Sequence, residues 1–142
     1  MKTTWLWLFL FIVLNSNGFS YAQDNKTVYS YAPAVVQLNG MLQQATYYGP
    51  PNYGNDPKHD SKEIVYVIIL EQSIDIQGRA QSDFDVALNN LKKVQIVPRG
   101  FDKQLKSLLN QKVQVSGKLF GAQTGHHHTA ALIQLEGLVK IK

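Results

Sequence analysis

Three of the four histidines in this chain stand in consecutive positions, His126, His127 and His128, inside the segment TGHHHT. Imidazole is the commonest metal ligand and titrates near neutral pH, so such a run has ready chemical uses. In extended form the run turns His126 and His128 to one side and His127 to the other. Their Cα atoms would then stand about 6.6 Å apart, a spacing at which two imidazoles chelate one ion of zinc, copper or nickel. A third ligand from His59 or Asp56 would complete a site with one open position. The competing reading is a hydrogen-bonded turn that happens to be rich in imidazole and offers Thr124, His127 and Thr129 to a ligand.

Other reactive groups are sparse. The chain has no Gly-x-Ser-x-Gly elbow, no His-Glu-x-x-His helix and no phosphate loop. It has no cysteine, which removes thiol nucleophiles and iron–sulfur centres. A zinc hydrolase built on His126, His128 and His59 would need a nearby base, and only Asp56 or Glu63 is an obvious candidate. A second surface of interest is aromatic. Tyr47, Tyr48 and Tyr53 flank Pro50, Pro51 and Asn52, a rigid turn that suits contact with a sugar or a partner protein.

The elements that must position these groups begin after a leader. Lys2 precedes the apolar run WLWLFLFIVL, and the polar stretch NSNGFSYA follows it, so residues 1–22 read as a secretory signal peptide cut after Ala22. The product would be periplasmic or secreted, with no membrane anchor left after cleavage. Without disulfides, an apolar core must hold an exported domain of this length together. Removing Lys2 leaves 13 basic and 10 acidic residues, scattered rather than patterned, which argues against a nucleic-acid partner.

Residues 23–34 read as a flexible lead-in, and 35–142 as one domain. Val35 to Tyr48 alternates apolar and polar residues as a half-buried strand does. The composition of GPPNYGNDPKHD makes residues 49–60 a loop. EIVYVIIL, Glu63 to Leu70, is a buried strand. Phe84, Leu88 and Leu91 have helical spacing behind Ser82, so a short helix is one reading of that region. Val94 to Val97 is a short strand, Phe101 to Leu109 a short helix, and Lys112–Phe120 and Ala130–Ile141 are strands. The order strand, strand, strand, helix, strand, strand is that of the small five-stranded OB-like barrel, an all-β fold with one short helix. An internal echo supports it: VQLNGML from Val36 and VQVSGKL from Val113 share V-Q-x-x-G-x-L, with glycine where a curling strand must bend. In that fold, loops 49–60 and 121–128 flank the usual ligand face.

The segments GPPNY (Gly49 to Tyr53) and GKLFGAQTGHHHT (Gly117 to Thr129) resemble paired motifs of an uncharacterised family of small exported bacterial proteins, a domain of unknown function. The resemblance runs from about Val35 onward. It implies export from a bacterial cell and carries no activity with it. The expectation that follows is a non-catalytic binding module for a ligand or partner protein of the cell envelope, a monomer or small homo-oligomer. Its rim residues would be Tyr48, Pro50, Pro51, Asn52, Tyr53, Thr124, His127 and Thr129. The alternative is a transition-metal binding protein through His126, His128 and His59, with a zinc-dependent hydrolase behind it.

Overall fold

The computed structural model describes residues 26–142. The expected signal peptide lies outside the described residues, as does the start of the lead-in. Among the described residues no helix is long and apolar enough to cross a membrane. The chain is mostly β: β1 (Val28–Ser30), β2 (Val35–Tyr48), β3 (Lys62–Gln77), β4 (Leu88–Val97), α1 (Asp102–Ser107), β5 (Lys112–Gly121) and β6 (Ala131–Lys140). They form one six-stranded sheet in the order β1-β3-β2-β5-β6-β4, with a further pairing of β3 to β4. Each strand from β2 to β6 therefore has at least two partners. The β1–β3 and β4–β6 ladders are parallel and the others antiparallel.

Alternation explains the core. Val36, Leu38 and Leu42 of β2 turn inward to meet Ile68, Val94, Ile96, Val113, Val115, Leu119 and Ile133. Each such side chain contributes about 1.5–3 kcal/mol by leaving water. Leu105 of α1 is fully buried in this core, and Gln104 Nε2 donates to the Leu138 carbonyl at 2.8 Å. The opposite parity gives the outer face, where Glu63, Val65 and Val67 of β3 run beside Tyr47, Ala45 and Gln43 of β2.

Two regions differ from the sequence reading. No helix follows Ser82: β3 runs on to Gln77 and β4 already begins at Leu88. Pairing of Leu88 with Ile76 and Leu91 with Ile74 overrides the helical spacing. Ser82 Oγ instead accepts the Asp85 N–H at 3.0 Å within a turn. Asp85 is buried and takes the Gly121 N–H at 2.9 Å and the Arg79 guanidinium at 3.0 Å. The described part of the lead-in holds β1, and Tyr31 behind it is packed in the core with its hydroxyl donating to the Val86 carbonyl at 2.8 Å.

The echoed glycines sit where neighbouring backbone comes close. Gly40 pairs with both Leu70 and Val113, where β2 acquires β3 as a partner, and Gly117 lies at the register shift of β5 against β6. A Cβ on Gly40 would meet the Ile69 carbonyl oxygen at 2.2 Å, and one on Gly117 the Gln134 oxygen at 2.1 Å. Both neighbours are backbone in a sheet and have no room to yield. Gly117→Ala is therefore expected to cost about 2 kcal/mol, read as a lower urea midpoint at unchanged slope. An unshifted midpoint would show that the strands separate freely there.

Candidate functional site

The site grows from the β2–β3 hairpin. Cross-strand pairing sets Glu63 directly opposite Tyr47 on the outer face, and Lys62 opposite Tyr48. The connecting loop is pinned by its own hydrogen bonds. Asp60 accepts the backbone N–H of Asn52 and of Gly54, both at 2.7 Å, while Tyr53 N donates to the Gly49 carbonyl at 3.0 Å. Burial raises the Asp60 pKa, but those backbone donors more than offset it and hold the carboxyl below its ordinary value. Tyr53 and Gly54 take positive φ, 52° and 99°, which throws the Tyr53 side chain out of the turn at 43 % exposure.

The histidine run lies in the β5–β6 connection and is a turn, with His127 N donating to the Thr124 carbonyl at 3.0 Å, rather than an extended strand. Gln95, on the outer face of β4 and itself buried, clamps it. Its Nε2 donates to the His126 carbonyl at 3.1 Å and its Oε1 accepts the His128 N–H at 2.7 Å. Thr129 Oγ1 accepts the Gln95 N–H at 2.9 Å and donates to the Ala131 carbonyl at 2.6 Å. Thr129 is therefore buried scaffolding, not a surface group for a ligand.

Clamped in this way, the histidines separate by role. His126 Nδ1 lies 2.6 Å from Glu63 Oε1, and His128 Nε2 lies 2.7 Å from Glu63 Oε2. Hydrogen bonding from His128, the largest influence, and then from His126 lowers the Glu63 pKa against the opposing effect of burial. An ionised carboxylate only accepts, so both ring nitrogens must donate. The His128 ring also stacks on Tyr47, with centroids 4.5 Å apart and planes within 3°. Tyr53 meets His126 edge-on at 5.8 Å, and a Cβ on Gly125 would strike its ring at 2.6 Å. His127 turns away onto Phe120, with Nδ1 accepting the Gln123 N–H at 2.9 Å. That bond needs a neutral ring protonated on Nε2. Burial, with the charges of His126 and His128 behind it, lowers the His127 pKa accordingly.

Loops 49–60 and 121–128 thus meet through Tyr53 and the His126 turn, but only part of the expected residue set gathers there. Tyr48 stands 38 % exposed beneath the Lys62 ammonium, 3.3 Å from its ring centroid. Pro50 and Pro51 are exposed, and Asn52 and Thr124 hold the loops through their backbones. His59 does not join the other histidines. Its ring pairs with Asp56 at 2.6 Å inside its own loop and is 75 % exposed. Among the described residues there is no group of three or more His, Cys, Asp or Glu side chains placed to hold a metal ion. The expected set of His126, His128 and His59 is therefore not assembled. Gln95 is the member the sequence reading did not connect to the histidines, and Glu63 entered that reading only as a base for a zinc hydrolase, not as their hydrogen-bond acceptor. Extending the hairpin register back from its loop would have set Glu63 beside Tyr47; nothing comparable marks Gln95.

Chemically, the arrangement presents one imidazole, His126, held at Nδ1 with its ring 59 % exposed, beside Tyr53. Residues 93–142, from within β4 to the end of the chain, match the model of a domain of unknown function (DUF4431). That stretch supplies Gln95 and the histidines, while Glu63 and the tyrosines precede it. No curated protein and no solved structure matches the chain.

Glu63→Gln removes the charge and turns one of the two acceptor oxygens into an NH2 donor, which leaves one histidine N–H without an acceptor. It is expected to cost about 2 kcal/mol near neutral pH in urea denaturation. Because the folded pKa is lowered, Glu63's contribution is present above the ordinary glutamate value and is lost as pH falls through the lowered one. The gap between wild type and variant should therefore close in acid. A gap that is unchanged across that window would contradict the carboxylate's role.

Proposed function

We propose that this chain is an exported, non-catalytic binding module on a five-stranded OB-like barrel, which meets a ligand or partner protein of the cell envelope with the surface of Tyr48, Tyr53 and His126. The barrel reading is supported by pairings that run β2–β3–β4–β6–β5 and back to β2, with β4–β6 parallel and α1 between β4 and β5. The observation that carries the binding reading is the meeting of the two rim loops at Tyr53 and His126. Each loop is fixed independently, so the aromatic surface is organised before a ligand arrives, which lowers the entropy lost on binding.

The transition-metal reading stands second. It is supported by Glu63, which brings a carboxylate to His126 and His128, and it needs their ring nitrogens to leave that carboxylate. Zinc hydrolysis is third, since Glu63 is engaged by the histidines and Asp56 by His59. Thermal melts of residues 23–142 with zinc, copper or nickel separate the first two readings. A native-state ligand at a hundredfold excess over Kd stabilises by about 2.7 kcal/mol. A rise that His126→Ala/His128→Ala loses would favour the metal.

For the binding module, the immobilised chain is exposed to periplasmic extract of its own cells and the retained species are identified by mass spectrometry. Tyr48→Ala/Tyr53→Ala is expected to lose the species that wild type retains, by about tenfold or more. Lys103→Ala, on the helix, should keep it. Equal retention by the tyrosine variant would overturn the rim-surface reading.

A further inference from the structure

We propose a second ligand site, for a neutral and hydroxyl-rich molecule such as a short saccharide, in the cleft between β1, the first part of β2 and the middle of β3. The cleft encloses about 600 Å³, within the range of small-molecule sites, roughly 300–1,000 Å³. It lies eight residues along β2 from Tyr47, roughly 26 Å at extended strand rise, so it is separate from the histidine surface.

Strand pairing opens it. β2 pairs with β5 from Val35, but with β3 only from Gly40 onward, so over residues 35–39 one edge of β2 has no ladder. On β3, the pairing with β2 ends at Leu70, and the pairing with β4 breaks between Ile69 and Ile74. Residues 71–73 therefore have no ladder partner on either side. Both stretches offer backbone N–H and C=O groups to whatever enters.

The side chains lining these edges define the ligand's chemistry. Gln37, Gln72 and Ser73 contribute two amides and a hydroxyl, Asn39 and Asn90 add amide N–H groups while their Oδ1 atoms accept from Gln114 and Lys26, and Tyr29 adds a ring fixed by its hydroxyl on the Gln37 carbonyl at 3.3 Å. An amide carries both donors and an acceptor, which complements sugar hydroxyls that do both. The tyrosine ring gives the C–H face of a pyranose an apolar surface. The charged groups are already paired: Lys26 with Asp75 at 2.5 Å, and Glu71 with Lys112 at 3.1 Å. No unpaired charge in the lining selects an ion. A peptide fits less well, because Leu38, Leu70 and Ile74 are at most 8 % exposed and form no open pocket for an apolar anchor.

Saturation-transfer NMR on residues 23–142 with maltotriose, cellotriose and triacetylchitotriose tests this. At least one is expected to receive saturation at millimolar concentration. The surface variant Gln37→Ala/Gln72→Ala should weaken it about tenfold at unchanged melting temperature, and Tyr53→Ala should leave it intact. Transfer to none of the sugars would overturn the proposal, as would transfer undiminished in the glutamine variant. Loss in Tyr53→Ala would overturn it too, by placing the sugar at the other site. Tighter binding of a capped polar hexapeptide would mark the cleft as a strand-docking slot instead.

Discussion

One carboxylate fixes the face on which the two loops meet. Glu63 stands on the outer side of β3 and binds two histidines from a turn 63 and 65 residues further along the chain. The two bonds are unequal. The His128 ring is nearly buried, at 8 % exposure, so its bond to a charged acceptor falls in the class worth about 1.5–3 kcal/mol. The His126 ring is 59 % exposed, and water screens its bond to the carboxylate toward the 0–1 kcal/mol typical of surface pairs, roughly. His128 anchors the turn, and His126 is positioned by the same carboxylate while still open to solvent.

The rest of the face follows from that anchor. With His128 held, its ring lies flat on Tyr47, and Gln95 below it satisfies the backbone of the turn on both sides. Gly125 then sits against Tyr53, where any larger residue would collide with the ring. The turn also has an opposite side: His127 packs on Phe120 as a neutral ring accepting a backbone N–H, so it works as a structural wedge. Three adjacent imidazoles thus do three jobs, anchor, wedge and exposed contact, because a turn sends successive side chains in different directions.

Much of the strand order was legible in the sequence, because alternation is a local signal. β2 carries the limits Val35–Tyr48 that its pattern suggests, and the echoed V-Q-x-x-G-x-L segments are antiparallel neighbours whose glycines meet close backbone. β1 was hidden by its length of three residues, and the start of β4 by Asn89 and Asn90, the latter at φ 57°. The meeting of the two loops could be anticipated from strand order alone. The partners within them could not. His59 was a reasonable third ligand until the loop put Asp56 within 2.6 Å of it, a local contact that wins over a distant one. Glu63 reads as the first residue of a buried strand, and only its register opposite Tyr47 turns it toward the histidines.

The most direct test of the Glu63 bridge is long-range proton–nitrogen NMR of the histidine rings near neutral pH, on wild type and Glu63→Gln. The expected spectrum has a slowly exchanging proton on His126 Nδ1 and another on His128 Nε2, and both signals shift in the variant. Rings that exchange freely between tautomers, or signals indifferent to the substitution, would contradict the bridge and with it the positioned His126 surface.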